Sequence, residues 1–149
     1  MKNIINIGNC ENAVSQLTKI RDKKYSFKNI EITNVHLLKL NKVCGYKAFK
    51  KDNLIVDSDT LWEIMRPVGG RKKHHFHGLL PTEVYEALLK LCKSKDIFES
   101  YNDRFKIITI ALTSKLERIV VIIEVTKNPL GYTKRGTNRL VTMFPTTKK

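Results

Sequence analysis

The chain has 149 residues, with 28 Lys and Arg against 14 Asp and Glu, a formal net charge of +14 and a pI of about 9.8. That length suits one compact domain, or a small core with an extension, and buries enough surface that folding requires neither a metal nor a disulfide. No apolar run approaches the roughly 18 residues of a membrane span, no signal peptide is recognisable and no long basic amphipathic helix is present, so the expectation is a soluble cytoplasmic protein without a membrane partner.

In chain order, "NIINIG" reads as a first strand and "CENAVSQLTKI" as a helix, and "NIEITNVHLLKL" reads as a strand whose ends are unclear. "DSDTLWEIM" opens a helix, because Asp57 or Ser58 can accept hydrogen bonds from the free amides of the first turn and Glu63 suits that end of the dipole. Pro67 and Gly69-Gly70 break it, and a boundary falls there between an N-terminal extension or subdomain, residues 1–66, and an α+β domain, residues 67–149, unless the two are continuous.

Pro81 suits a first helical position, and Val84, Leu88, Leu91 and Cys92 recur at helical spacing, which predicts a helix of about 12 to 14 residues with one apolar stripe. "FKIITIAL" and "RIVVIIEV" are rich in β-branched residues and flank Ser114 and Lys115, which predicts a hairpin. A polar loop from Thr126 to Asn138 precedes a last strand, "RLVTMFP". The fold class expected is α+β, a helical or mixed N-terminal segment followed by a helix packed on an antiparallel sheet. Cys10, Cys44 and Cys92 are odd in number, far apart and without C-x-x-C spacing, so they read as reduced thiols.

"RKKHHFHG" carries three of the four histidines of the chain beside Arg71, Lys72 and Lys73. If the stretch is extended, alternation sends His75 and His77 to one face. Two imidazoles next to cations hold the ingredients of metal-free RNA cleavage: one takes the proton of the ribose 2'-hydroxyl, the other protonates the leaving 5'-oxygen, and a cation stabilises the phosphate. The excess of positive charge supplies the affinity for a phosphate backbone. Two plainer readings stand beside this one. A zinc site from the His-x-His pair and Cys92 lacks a third and fourth ligand at a usual spacing, so no metal and no cofactor is expected. A solvated basic loop that merely touches phosphates is the other. His36, isolated between Val35 and Leu37, reads as structural.

The stretch "FHGLLPTEVYEALLKLCKSKDI", followed by "RFKIITIAL" and a second strand, resembles the helix-then-sheet layout of the barnase, EndoU, colicin and RelE superfamily of nucleases, in its phage and polymorphic-toxin branches. The resemblance covers residues 71–145. It implies a metal-independent endoribonuclease that cuts by 2'-hydroxyl attack, commonly a toxin or defence effector acting on tRNA or mRNA and held by an acidic antitoxin or immunity protein. It further implies His77 and His75 as the acid–base pair, Lys106 or Arg104 as the phosphate cation, and Thr142 as a hydroxyl that orients the phosphate. Beside it, the loop "NPLGYTKRGTNR" interleaves Lys127, Lys134, Arg135 and Arg139 with Tyr132, a pattern suited to gripping single-stranded RNA by phosphate contacts and base stacking. The alternative function is a non-catalytic nucleic-acid-binding protein of phage or plasmid origin using the same basic surface.

Overall fold

Among the described residues, seven strands make one sheet in the spatial order β1 (Asn3–Asn6), β2 (Ile30–Thr33), β3 (Leu54–Val56), β7 (Asn138–Thr146), β6 (Arg118–Val125), β5 (Phe105–Leu112) and β4 (Ile97–Tyr101). The computed structural model describes residues 3–23, 30–66, 78–101, 105–115, 117–125 and 138–146. Strands β5 (Phe105–Leu112), β6 (Arg118–Val125) and β7 (Asn138–Thr146) form an antiparallel meander that β4 (Ile97–Tyr101) extends at the edge. The hairpin of β5 and β6 is the one the β-branched runs predict. Its register, Phe105 opposite Val125 through to Leu112 opposite Arg118, keeps each strand's alternation in phase with its neighbour's.

Residues 1–66 add three strands to the same sheet. β1 (Asn3–Asn6) runs parallel to β2 (Ile30–Thr33), β2 is antiparallel to β3 (Leu54–Val56), and β3 joins β7 in parallel at the pair Ile55–Arg139. The sheet is therefore mixed, antiparallel from β4 to β7 as expected and continued by the N-terminal strands. Asn138 reinforces that junction, since its side-chain amide donates to the carbonyls of Lys51 at 2.8 Å and Asn53 at 3.0 Å.

Four helices accompany the sheet: α1 (Cys10–Asp22), the single turn α2 (Asn41–Cys44), α3 (Ser58–Met65) and α4 (Pro81–Lys90). α1 packs on both α3 and α4, while α3 lies against β7 and α4 against β5. α4 is the helix predicted from Pro81, and a 3-10 turn, Leu91–Lys93, completes its length. Its Val84, Leu88 and Leu91 are buried as the spacing requires. One core joins Ala13, Leu17 and Ile20 of α1, Leu61 and Ile64 of α3, and the helix-facing residues Ile107, Ile119, Val121, Ile123 and Met143 of the sheet. Among the described residues, no helix is long and apolar enough to cross a membrane.

Two local expectations change. The second half of "NIEITNVHLLKL" is not strand, because Asn34 and His36 adopt left-handed backbone (φ 62° and 54°) and a 3-10 turn, Leu37–Leu40, follows. The Asp57 carboxylate does not cap α3; it pairs with Arg139 at 3.3 Å, and the carbonyl of Asp57 takes the amides of Thr60 and Leu61. Asp59, rather than Glu63, is the acidic residue of the first turn of α3.

Candidate nucleic-acid interface

The strand directions give the sheet two unlike ends. At one end β4 hands over to β5, β6 ends at Val125 and β7 begins at Asn138. β2 finishes there and β3 starts there, so the whole connection from residue 34 to residue 53 belongs to this end. That connection holds Lys39, Lys42, Lys47, Lys50 and Lys51, all exposed. Its one acid, Asp52, is turned inward to accept the Leu38 amide at 2.6 Å. Arg139 adds a sixth exposed cation, partly neutralised by Asp57. His36, the one histidine among the described residues, is exposed at the same end.

Several residues singled out in the sequence converge here. Lys106 lies in register with Glu124 on β6, and Glu124 with Arg139 on β7, so three charged positions form one row across the sheet. Arg104, in the β4–β5 connection, and Lys127, Tyr132, Lys134 and Arg135, in the β6–β7 connection, lie outside the described residues, but both connections leave from and return to this end. The lysines of residues 34–53 escaped the sequence reading because they are spread singly through a stretch that looked like strand and loop. Only the return of β2 to β3 gathers them.

Thr142 owes its place to a bulge. The register between β6 and β7 pairs Ile123 with Leu140 but Ile122 with Thr142, so Val141 is the extra residue. Strict alternation would place Arg139 and Thr142, three apart, on opposite faces. The bulge restores both to the face away from the helices, with Thr142 opposite Ile122, about 7 Å along the strand from the charged row.

The opposite end of the sheet carries both signs, Glu83, Glu86 and Glu117 standing near Lys90, Lys115 and Arg118. The Leu79 amide donates to the Ile64 carbonyl at 3.0 Å, which ties the start of α4 to the last turn of α3. Gly78, with φ of 67°, makes the turn into α4 in a conformation that a side chain would strain. Residues 67–77, including Arg71, Lys72, Lys73, His75 and His77, lie outside the described residues and depart from and return to this point. Beside it, Glu83 accepts the Leu80 amide at 2.8 Å, and Glu86 accepts the backbone amide and the hydroxyl of Ser114, the latter at 2.9 Å. These bonds from Ser114 hold the Glu86 carboxyl below its ordinary range, whereas a hydrogen bond shared with Glu83, with burial adding to it, pushes the Glu117 carboxyl up.

The register thus separates Lys106 from the hairpin end of β5, at Leu112, by about 20 Å. Arg66 and Gly78, which bound the segment carrying His75 and His77, lie toward the hairpin end, and Lys106 and Arg139 lie at the other. Among the described residues, no group of three or more His, Cys, Asp or Glu side chains is placed to hold a metal ion. Comparison with protein-family models, with curated proteins and with solved structures finds no match to this chain.

Proposed function

We propose that the protein binds RNA at the basic end of its sheet and cleaves it without a metal, by 2'-hydroxyl attack, as a toxin or defence effector acting on tRNA or mRNA. The observation that carries the RNA half of this reading is the convergence of Lys39, Lys42, Lys47, Lys50, Lys51 and Arg139 on one end of the sheet, where the connections bearing Arg104, Lys127, Tyr132, Lys134 and Arg135 also begin and end. Each cation that neutralises a phosphate releases a counterion, so affinity must fall with salt. His75 and His77 supply the acid and the base, with Arg71, Lys72 and Lys73 next to them in the chain. Lys106 and Arg139, at the basic end of the sheet, engage phosphates of the bound strand.

A non-catalytic RNA-binding protein is the second reading. It needs only the cations of the basic end and no acid–base pair. A neutralising acidic antitoxin or immunity protein is a further proposed partner, and it would meet the same lysines.

Binding and cleavage separate under mutation. Lys50→Ala with Lys51→Ala should weaken tRNA binding and lower the slope of log affinity against log salt by about 1.4 for a single-stranded contact. His75→Ala and His77→Ala should leave that slope unchanged and abolish cleavage. Filter binding across a salt series reads the first, and gel analysis of tRNA reads the second. An unchanged slope in the lysine variant would remove the basic end from the account.

A further inference from the structure

The helices α1, α3 and α4 pack on one side of the sheet, and no described helix covers the other. On that open side stand Phe98, Ile108, Leu112, Val120, Ile122 and Phe144 of β4 to β7, as the register and the alternating burial require. Phe98 is 55% exposed and Leu112 50%, on strands whose other faces are sealed. Ile4 of β1 is 47% exposed on the same side. A contiguous apolar surface of this kind marks an interaction site.

Its charge identifies the occupant. The chain carries +14, yet the charged positions on this face are Lys106, Arg118 and Arg139 against Glu31, Glu124 and the Asp57 carboxylate that pairs with Arg139, a balance of zero. A polyanion would be met by a surplus of cations, and that surplus lies at the end of the sheet rather than on its face. A surface that mixes both signs around an apolar centre is instead self-complementary under a two-fold rotation, which carries the cations of one copy toward the carboxylates of the other.

Size agrees with this occupant. Three strands of eight or nine residues at 4.8 Å spacing, with the shorter β4 and β1 to β3, give a flat footprint of about 650 Å². A stable interface needs about 800 Å² from each partner, and side-chain relief raises the flat figure toward it. We infer that the open face is a homodimer interface, in which two copies pack sheet on sheet about 10 Å apart. Of the basic end only the row of Lys106, Glu124 and Arg139 borders that contact, and the lysines of residues 34–53 stand outside the strands that form it, so the inference does not rest on the RNA reading. Thr142 and Ile122, in the middle of the face, become buried.

Sedimentation of the full chain from 1 to 100 µM in 0.3 M salt, which screens the repulsion between copies, tests this. The wild type should sediment at twice its 17.2 kDa mass. Phe98→Glu with Leu112→Glu alters two side chains that are already half exposed. It should keep its circular dichroism and tRNA affinity while weakening self-association about a hundredfold or more. The milder pair Phe98→Ser with Leu112→Ser should weaken it in the same direction should the glutamate variant fail to fold. A wild type that stays at monomer mass throughout would overturn the inference, as would folded variants that dimerise as tightly as the parent. A folded monomeric variant that has also lost tRNA binding would give the face to RNA instead.

Discussion

Glu86, one helical turn from Glu83 on α4, and Glu117, which meets Glu83 from the β5–β6 turn, are chemically identical groups that take opposite roles. Glu86 is held ionised by the backbone amide and hydroxyl of Ser114, so it fastens α4 to the β5–β6 turn. Its pKa is lowered on folding, so the stability it adds is present above about pH 4.5 and is lost as pH falls through the folded value. Glu117 is pushed up by the carboxyl of Glu83, so the stability linked to its proton is complete below about pH 4.5 and is lost as pH rises. Glu117→Gln should therefore raise the melting temperature at pH 7 and lose that advantage at pH 4. Glu86→Gln should lower the melting temperature at pH 7, with a loss of stability of about 1 kcal/mol, the worth of a partly exposed charge-assisted hydrogen bond. Thermal melts of both variants at the two pH values check the signs; a Glu117→Gln protein less stable than wild type at pH 7 would contradict the assignment.

At the level of elements, the seam between β3 and β7 is the narrowest place in the sheet, with the single pair Ile55–Arg139. Asn138 supplements it through two bonds to the carbonyls of Lys51 and Asn53, and it is buried. Asn138→Ala leaves both carbonyls short of a donor and should cost about 2 kcal/mol. Calorimetry measures the loss, and hydrogen exchange should show β1 to β3 opening before β5 and β6; uniform exchange across the sheet would contradict it. The sequence makes β5, β6 and α4 legible because each carries an unbroken period, 2 for the strands and 3.6 for the helix. β3 and β4 are not, since "LIV" and "IFESY" are too short to show alternation and are strands only because β2, β5 and β7 offer them edges. The bulge at Val141 was equally invisible. It exists in the pairing of β6 with β7, and no property of "LVTMF" alone signals the change of face.

Across the described residues the positive charge is unevenly placed: a basic end, an opposite end where Glu83, Glu86 and Glu117 are offset by Lys90, Lys115 and Arg118, and a face near neutrality between them. Composition alone pointed to a polyanion but could not say where it binds, because lysines scattered over residues 39–51 become one surface only when β2 and β3 turn the chain back. The candidate site was legible by residue type in Arg139, Lys106 and Thr142, and not by geometry.

The central claim is RNA cleavage by paired imidazoles, and its most direct test is incubation of the purified protein with total tRNA in EDTA beside His75→Ala and His77→Ala. The account predicts discrete fragments with cyclic-phosphate ends from the wild type and intact tRNA from either variant, with all three proteins retarding tRNA equally on a native gel. Intact tRNA with the wild type, still retarded on the gel, would contradict it and leave the protein as an RNA-binding module.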